Sequence, residues 1–232
     1  MTLEGEMETS VAVRKKFNYR LLAVSGVIFA LFWPLLFIRT SHDLTDVHVV
    51  IRTIGLEWGA TLILAAIGFA ALRRSASWYR IGMFGWRDAL AMLVALPILF
   101  CLAGLVGWYF KVPGAQDQLQ KLAAVPLLLR AGLVLTAGIA EEFMFRGFAI
   151  EELAALIGNR RLAALASFVC FTVANIGRYG LSPRLLMVAV AGAVLTILYL
   201  WRRNLPVCML LHAIVDGIGI IVVPEVAAHL GR

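Results

Sequence analysis

The sequence predicts an all-α protein, a polytopic transmembrane helical bundle of about seven spans, six to eight by the length available. Three observations carry that expectation. Hydrophobic residues make up 62% of the 232 positions and charged residues only 15%. The mean hydropathy is +0.89, whereas soluble domains are apolar over about half of their residues. The apolar residues also fall into runs long enough to cross a bilayer, which takes ~20 helical residues. Finally, Lys and Arg gather at the ends of those runs. A net charge of +7 would suggest nucleic acid in a soluble protein. Here anchoring and topology account for it, and no nucleic-acid partner is expected.

Residues 1–20 read as a cytoplasmic N-terminal tail ending in Arg14, Lys15, Lys16 and Arg20. The rest, 21–232, reads as a single transmembrane domain. Leu21 to Ile38 is a first, uncleaved span, because no small-residue cleavage site follows it; Pro34 is placed to kink it. A loop with His42 and His48 follows, at a spacing that fits no metal site. The second span runs from about Ile54 to Leu72, with Glu57 read as interfacial. Arg73, Arg74, Arg80 and Arg87 then precede a third span, Ala89 to Phe110, closed by an aromatic belt of Trp108, Tyr109 and Phe110.

Pro113-Gly114 signals a turn. The fourth apolar segment, Leu122 to Ile157, is longer than one crossing requires, and its end around Glu151 and Glu152 is expected to leave the bilayer. Spans five to seven are Leu162 to Ile176, Leu185 to Trp201 and Leu205 to Val223, with Arg178 in a turn and Arg202 and Arg203 in a tight basic one. The basic residues of the tail and of the loops after spans two, four and six number 12, against 8 opposite. That excess predicts a multi-pass protein of the cell (inner) membrane with a cytoplasmic N-terminus. Cys101, Cys170 and Cys208 lie in apolar runs and read as small buried hydrophobes. Ala213 and Gly217, four apart, favour close helix packing.

The residues that do not fit an inert bundle are polar ones inside the spans. Glu141 and Glu142, followed by Arg146, are costly in hydrocarbon and need partners. On a helix Glu142 and Arg146 are four apart and pair on one face. Glu141 points about 100° away and faces something else. His212 and Asp216 have the same one-turn spacing. They read as a hydrogen-bonded pair, a shared metal site or part of a proton path. Asn175 lies one turn after Phe171. These clusters sit at similar depths on three spans, which suggests a shared polar cavity.

This constellation resembles the CAAX prenyl protease and bacteriocin-processing (CPBP, or abortive-infection) family. The resemblance rests on Glu-Glu-x-x-x-Arg at 141–146, Phe-x-x-x-polar at 171–175 and His-x-x-x-Asp at 212–216, in that order on successive spans. It covers a core of about 122–223. What it implies is an intramembrane endopeptidase acting on a membrane-anchored protein or peptide, either a C-terminal sorting or lipidated tail or a leader. Carried over, Glu141 is the general base, and His212 and Asp216 are the oxyanion or ligand pair. Glu142 and Arg146 hold the base electrostatically.

The second family motif ends in His, and here Asn175 stands in its place. An amide takes no proton and is a poor zinc ligand. The expectation is therefore a glutamate-type enzyme without a cofactor. Zinc, if bound, would use Glu141, His212 and Asp216. The alternative is a catalytically silent scaffold or immunity protein of the same fold. A proton-coupled transporter is a third class, which would call for an internal repeat.

Overall fold

The computed structural model describes residues 3–33, 44–110 and 114–230. All of its regular elements are helices. They are α1 (Leu3–Phe32), α2 (Val47–Ala71), α3 (Trp86–Phe110), α4 (Ala115–Ala124), α5 (Leu127–Ile157), α6 (Arg160–Tyr179), α7 (Pro183–Arg202) and α8 (Leu205–Leu230). Among the described residues five helices are long and apolar enough to cross a membrane, or six if α4 and α5 count as one bent span. About seven were expected. The remaining candidate is α1, whose described apolar stretch, Asn18–Phe32, is shorter. Helix α1 already begins at Leu3, so most of the expected tail is helical. Pro34, His42 and the end of the first span lie outside the described residues.

The long fourth apolar segment is not one straight helix. Val125 and Pro126 interrupt it, and α4 and α5 meet there at 106°. Pro126 supplies no amide hydrogen, and its ring disfavours helix at the residue before it, which is extended Val125. Arg130, a cation in the first turn of α5, is buried. It donates to the carbonyls of Val125 and Ile220 and pairs with Glu225.

Helix α5 is the axis of the bundle. Phe143 through Ile150 are all buried, so neighbours surround this stretch. Helix α1 packs on it at Gly26 and Phe148, and α2 through a bond from Trp58 Nε1 to Thr136 Oγ1 (3.0 Å). Helices α6 and α8 also lie against α5. Helix α3 packs outside, along α7, and exposes Leu93, Val94 and Leu105. Apolar side chains turned outward suit a lipid environment rather than water. Cys208 is buried and Cys170 half-buried, but Cys101 is exposed on α3, against expectation.

Glu151 and Glu152, at the end of α5, do not emerge into solvent. Both are buried, because the loop after α2 and the α7–α8 turn fold over them. Arg74 grips Glu152 with two nitrogens at 3.0 and 2.9 Å, and Tyr79 Oη donates to the same carboxylate at 3.0 Å. Arg203 grips Glu151 with two bonds of 2.8 Å, joined by Tyr199 Oη at 2.7 Å. Burial, and after it the Glu152 carboxylate, hold the Tyr79 phenol above its ordinary range.

Candidate active site

The site grows from the middle of α5. Two stretches there, Thr136–Glu141 and Phe143–Ala149, form wide π-helical turns. Such turns are often found at functional sites in helices. They flank Glu142, whose side chain is fully buried. Arg146 Nη1 donates to Glu142 Oε1 at 2.7 Å, the contact that the four-residue spacing predicts. The other Arg146 terminus, Nη2, donates to the Gly192 carbonyl on α7 at 3.2 Å. The guanidinium lies 4.6 Å from the centre of the Phe171 ring, which gives its charge a π face as well.

Two glycines make these approaches possible. A Cβ at Gly192 would stand 2.9 Å from the Phe171 ring, so only glycine lets α6 and α7 close around Arg146. A Cβ at Gly138 would stand 2.8 Å from Ala213 Cβ and 3.0 Å from the Met209 carbonyl. Helix α8 therefore sits against the α5 backbone, with Ala213 at the contact.

That approach brings His212 into the site. Its Nδ1 bonds Glu142 Oε1 at 2.8 Å. A carboxylate partner makes Nδ1 the protonated nitrogen and turns Nε2 towards Asp216. His212 Nε2 and Asp216 Oδ2 are 3.8 Å apart, beyond hydrogen-bonding range. The ring is thus fixed by Glu142, whereas the sequence pointed to Asp216. Glu142 Oε2 is buried without a hydrogen-bond partner among the described residues.

Glu141 belongs to a second group of neighbours. It is half-buried, and Glu57 of α2 is among its neighbours. Arg178, near the end of α6, also faces it, and Asp216 is close by. Arg178 Nη2 is 3.6 Å from Glu57 Oε1. Asn175 lies where α6 bends, and its amide Nδ2 donates to the Phe171 carbonyl of its own helix at 3.0 Å. Its Oδ1 is the amide atom left to accept a bond.

Sequence reasoning missed Glu57 and Arg178. Glu57 was placed at a membrane interface because the second span was started at Ile54. Helix α2 begins at Val47, so Glu57 is well inside it. The usable signal was an ionisable residue within an apolar helix. Arg178 was assigned to a turn, although it follows Asn175 by three residues and shares a helix face with it.

The candidate zinc ligands Glu141, His212 and Asp216 do not form a metal-holding group of three, nor does any other such set among the described residues.

Residues 123–218 match the family described as Type II CAAX prenyl endopeptidase Rce1-like. The matched segment takes in α5, α6, α7 and the first half of α8, and with them all seven residues of the three motifs. Glu57 and α2 lie outside it. With the apolar helices, the match identifies an integral, multi-pass membrane protein. It supports a protease of the CAAX type in general terms. No curated protein and no solved structure matches the chain.

Proposed function

We propose that this protein is an intramembrane endopeptidase that hydrolyses a peptide bond in a membrane-anchored protein or peptide, with water as the nucleophile. The observation that carries the reading is the division of labour between adjacent carboxylates. Glu142 is buried and committed to Arg146 and His212. Glu141 is half-buried on the other side of the helix, with its own cation and acids around it. Two carboxylates in different surroundings are how a site separates a structural charge from a proton carrier.

In this reading Glu141 takes a proton from water as the oxygen adds to the scissile carbonyl carbon. Asn175 Oδ1 accepts from the same water and orients it. The tetrahedral oxyanion is stabilised by donors preorganised around it, among them the Nε2–H of a His212 imidazolium whose Nδ1–H is held by Glu142. Glu141 then passes its proton to the leaving nitrogen as the C–N bond breaks. Glu142 and Arg146 keep the wide turn of α5 in register and remain charged throughout. The substrate is a lipidated or sorting-signal C-terminus or a leader peptide. The chain lies in the cell (inner) membrane with its N-terminus cytoplasmic.

The bond from Asn175 to its own helix favours one rival, a catalytically silent scaffold or immunity protein. Co-expression of a candidate substrate with wild type, Glu141→Ala and Asn175→His separates the two readings. Cleavage by wild type and none by Glu141→Ala supports the enzyme. Cleavage only by Asn175→His, or biological function that survives Glu141→Ala, supports the scaffold.

A further inference from the structure

We infer that Arg178 and Glu57 complete the active site: Arg178 provides the cationic donor beside Glu141 that Asn175 does not, and Glu57 holds it there. The inference rests on the protease reading above, and Glu57 lies outside the segment that matches the family.

Asn175 carries no charge, and one of its two amide N–H donors is spent on the Phe171 carbonyl. A developing oxyanion near Glu141 can therefore receive at most one neutral N–H from that side chain, and no positive charge. The chain turns at Asn175, whose carbonyl accepts from the amides of Arg178 and Tyr179 at 3.2 and 3.0 Å. This short turn swings Arg178 back toward α5 and α2. There its guanidinium meets Glu57 at 3.6 Å and faces Glu141. Asp216 of α8 lies near the same cation.

An arginine presents five N–H donors in a fixed fork. Glu57 pairs with it at 3.6 Å, an ion-pair distance beyond hydrogen-bonding range, which leaves donors for a carbonyl oxygen next to Glu141. Arg178 is half-buried rather than sealed, as a group that meets substrate needs to be. Helix α2 brings Glu57 to this place because Trp58, the next residue, is fastened to Thr136 of α5. Arg178 is thus a catalytic residue and Glu57 a positioning residue.

The test uses the full chain in detergent or nanodiscs with a substrate that wild type cleaves and Glu141→Gln does not. That pair of results establishes the protease reading independently. Arg178→Ala is expected to lower kcat about 100-fold or more with KM little changed, the loss typical of one oxyanion donor. Glu57→Gln is expected to lower kcat roughly 10- to 100-fold by misplacing it. The exchange Glu57→Arg with Arg178→Glu distinguishes position from mere pairing. It is expected to regain thermal stability without regaining cleavage, whereas a structural ion pair would regain both. Arg178→Ala cleaving within about threefold of wild type would overturn the inference, since an oxyanion donor cannot be so dispensable. Should wild type cleave nothing, the geometry is read from thermal unfolding of Glu57→Gln, Arg178→Ala and the double variant. Non-additive Tm shifts support the contact, and additive shifts overturn it.

Discussion

Arg146 and His212 meet on a single oxygen of Glu142, at 2.7 and 2.8 Å, from helices α5 and α8. One fully buried carboxylate thus ties a cation on its own helix to an imidazole on another. Because Arg146 also reaches the Gly192 carbonyl, α7 joins the same knot. The order of the site depends on this one charge.

Glu142→Gln therefore leaves Arg146 as an unbalanced buried charge and His212 without its acceptor. The expected cost is about 3–5 kcal/mol of stability, typical of breaking a buried pair from one side. Thermal unfolding in detergent measures it. A wild-type transition in this variant would show that the knot is dispensable.

Glu141→Gln should behave differently. It keeps the shape of the side chain and removes the proton carrier, so cleavage should fall at least about 100-fold. Stability should stay within about 1 kcal/mol of wild type, since Arg178 keeps Glu57 as its partner. Rates and unfolding curves on the same preparations separate the two glutamates.

Gly138→Ala tests the close approach of α5 and α8. The new Cβ would stand 3.0 Å from the Met209 carbonyl, a backbone atom that cannot step aside alone. The helices must part, at a cost of about 1–3 kcal/mol. His212 should move off Glu142 at the same time, so activity should drop with stability. An active, fully stable Gly138→Ala would show that the approach is not needed.

Asn175→Ala removes one neutral acceptor from the attacking water. Its effect should be modest, about fivefold in kcat, in keeping with ~1 kcal/mol for one neutral hydrogen bond. A loss as large as that of Glu141→Gln would give the amide a greater role than its geometry supports.

Chelation gives an independent check on the donor set. Because Glu141, His212 and Asp216 do not close into a three-donor site, cleavage should be unchanged by a zinc chelator. Loss of activity on chelation, restored by zinc, would contradict the proposed chemistry.

Much of this arrangement is legible in the sequence because it rests on helical spacing. Glu142 with Arg146, and His212 with Asp216, are one turn apart, so a shared face follows from geometry alone. The helical class follows from the apolar runs. What spacing along one helix does not contain is which other helix faces it. Arg178 and Glu57 look like a turn residue and an interfacial residue until α2 is packed against α5. The same limit hid the burial of Glu151 and Glu152, whose cations come from loops distant in sequence. Hydropathy averages over a window, so it passed over the break at Pro126 and the start of α2 at Val47.

The wide turns of α5 have a consequence for changes in chain length. A wide turn holds one residue more than an ordinary helical turn, so it takes up a one-residue change of length locally. Removing one residue from 136–140 should therefore restore ordinary helix while the two ends of α5 keep their facing. Leu127–Leu135 is ordinary helix and has no such reserve. Removing one residue between Arg130 and Leu135 would turn the start of α5 by about 100° and carry Arg130 away from Ile220 and Glu225 of α8. That chain should still insert into the membrane, but with α5 and α8 no longer fastened at this end.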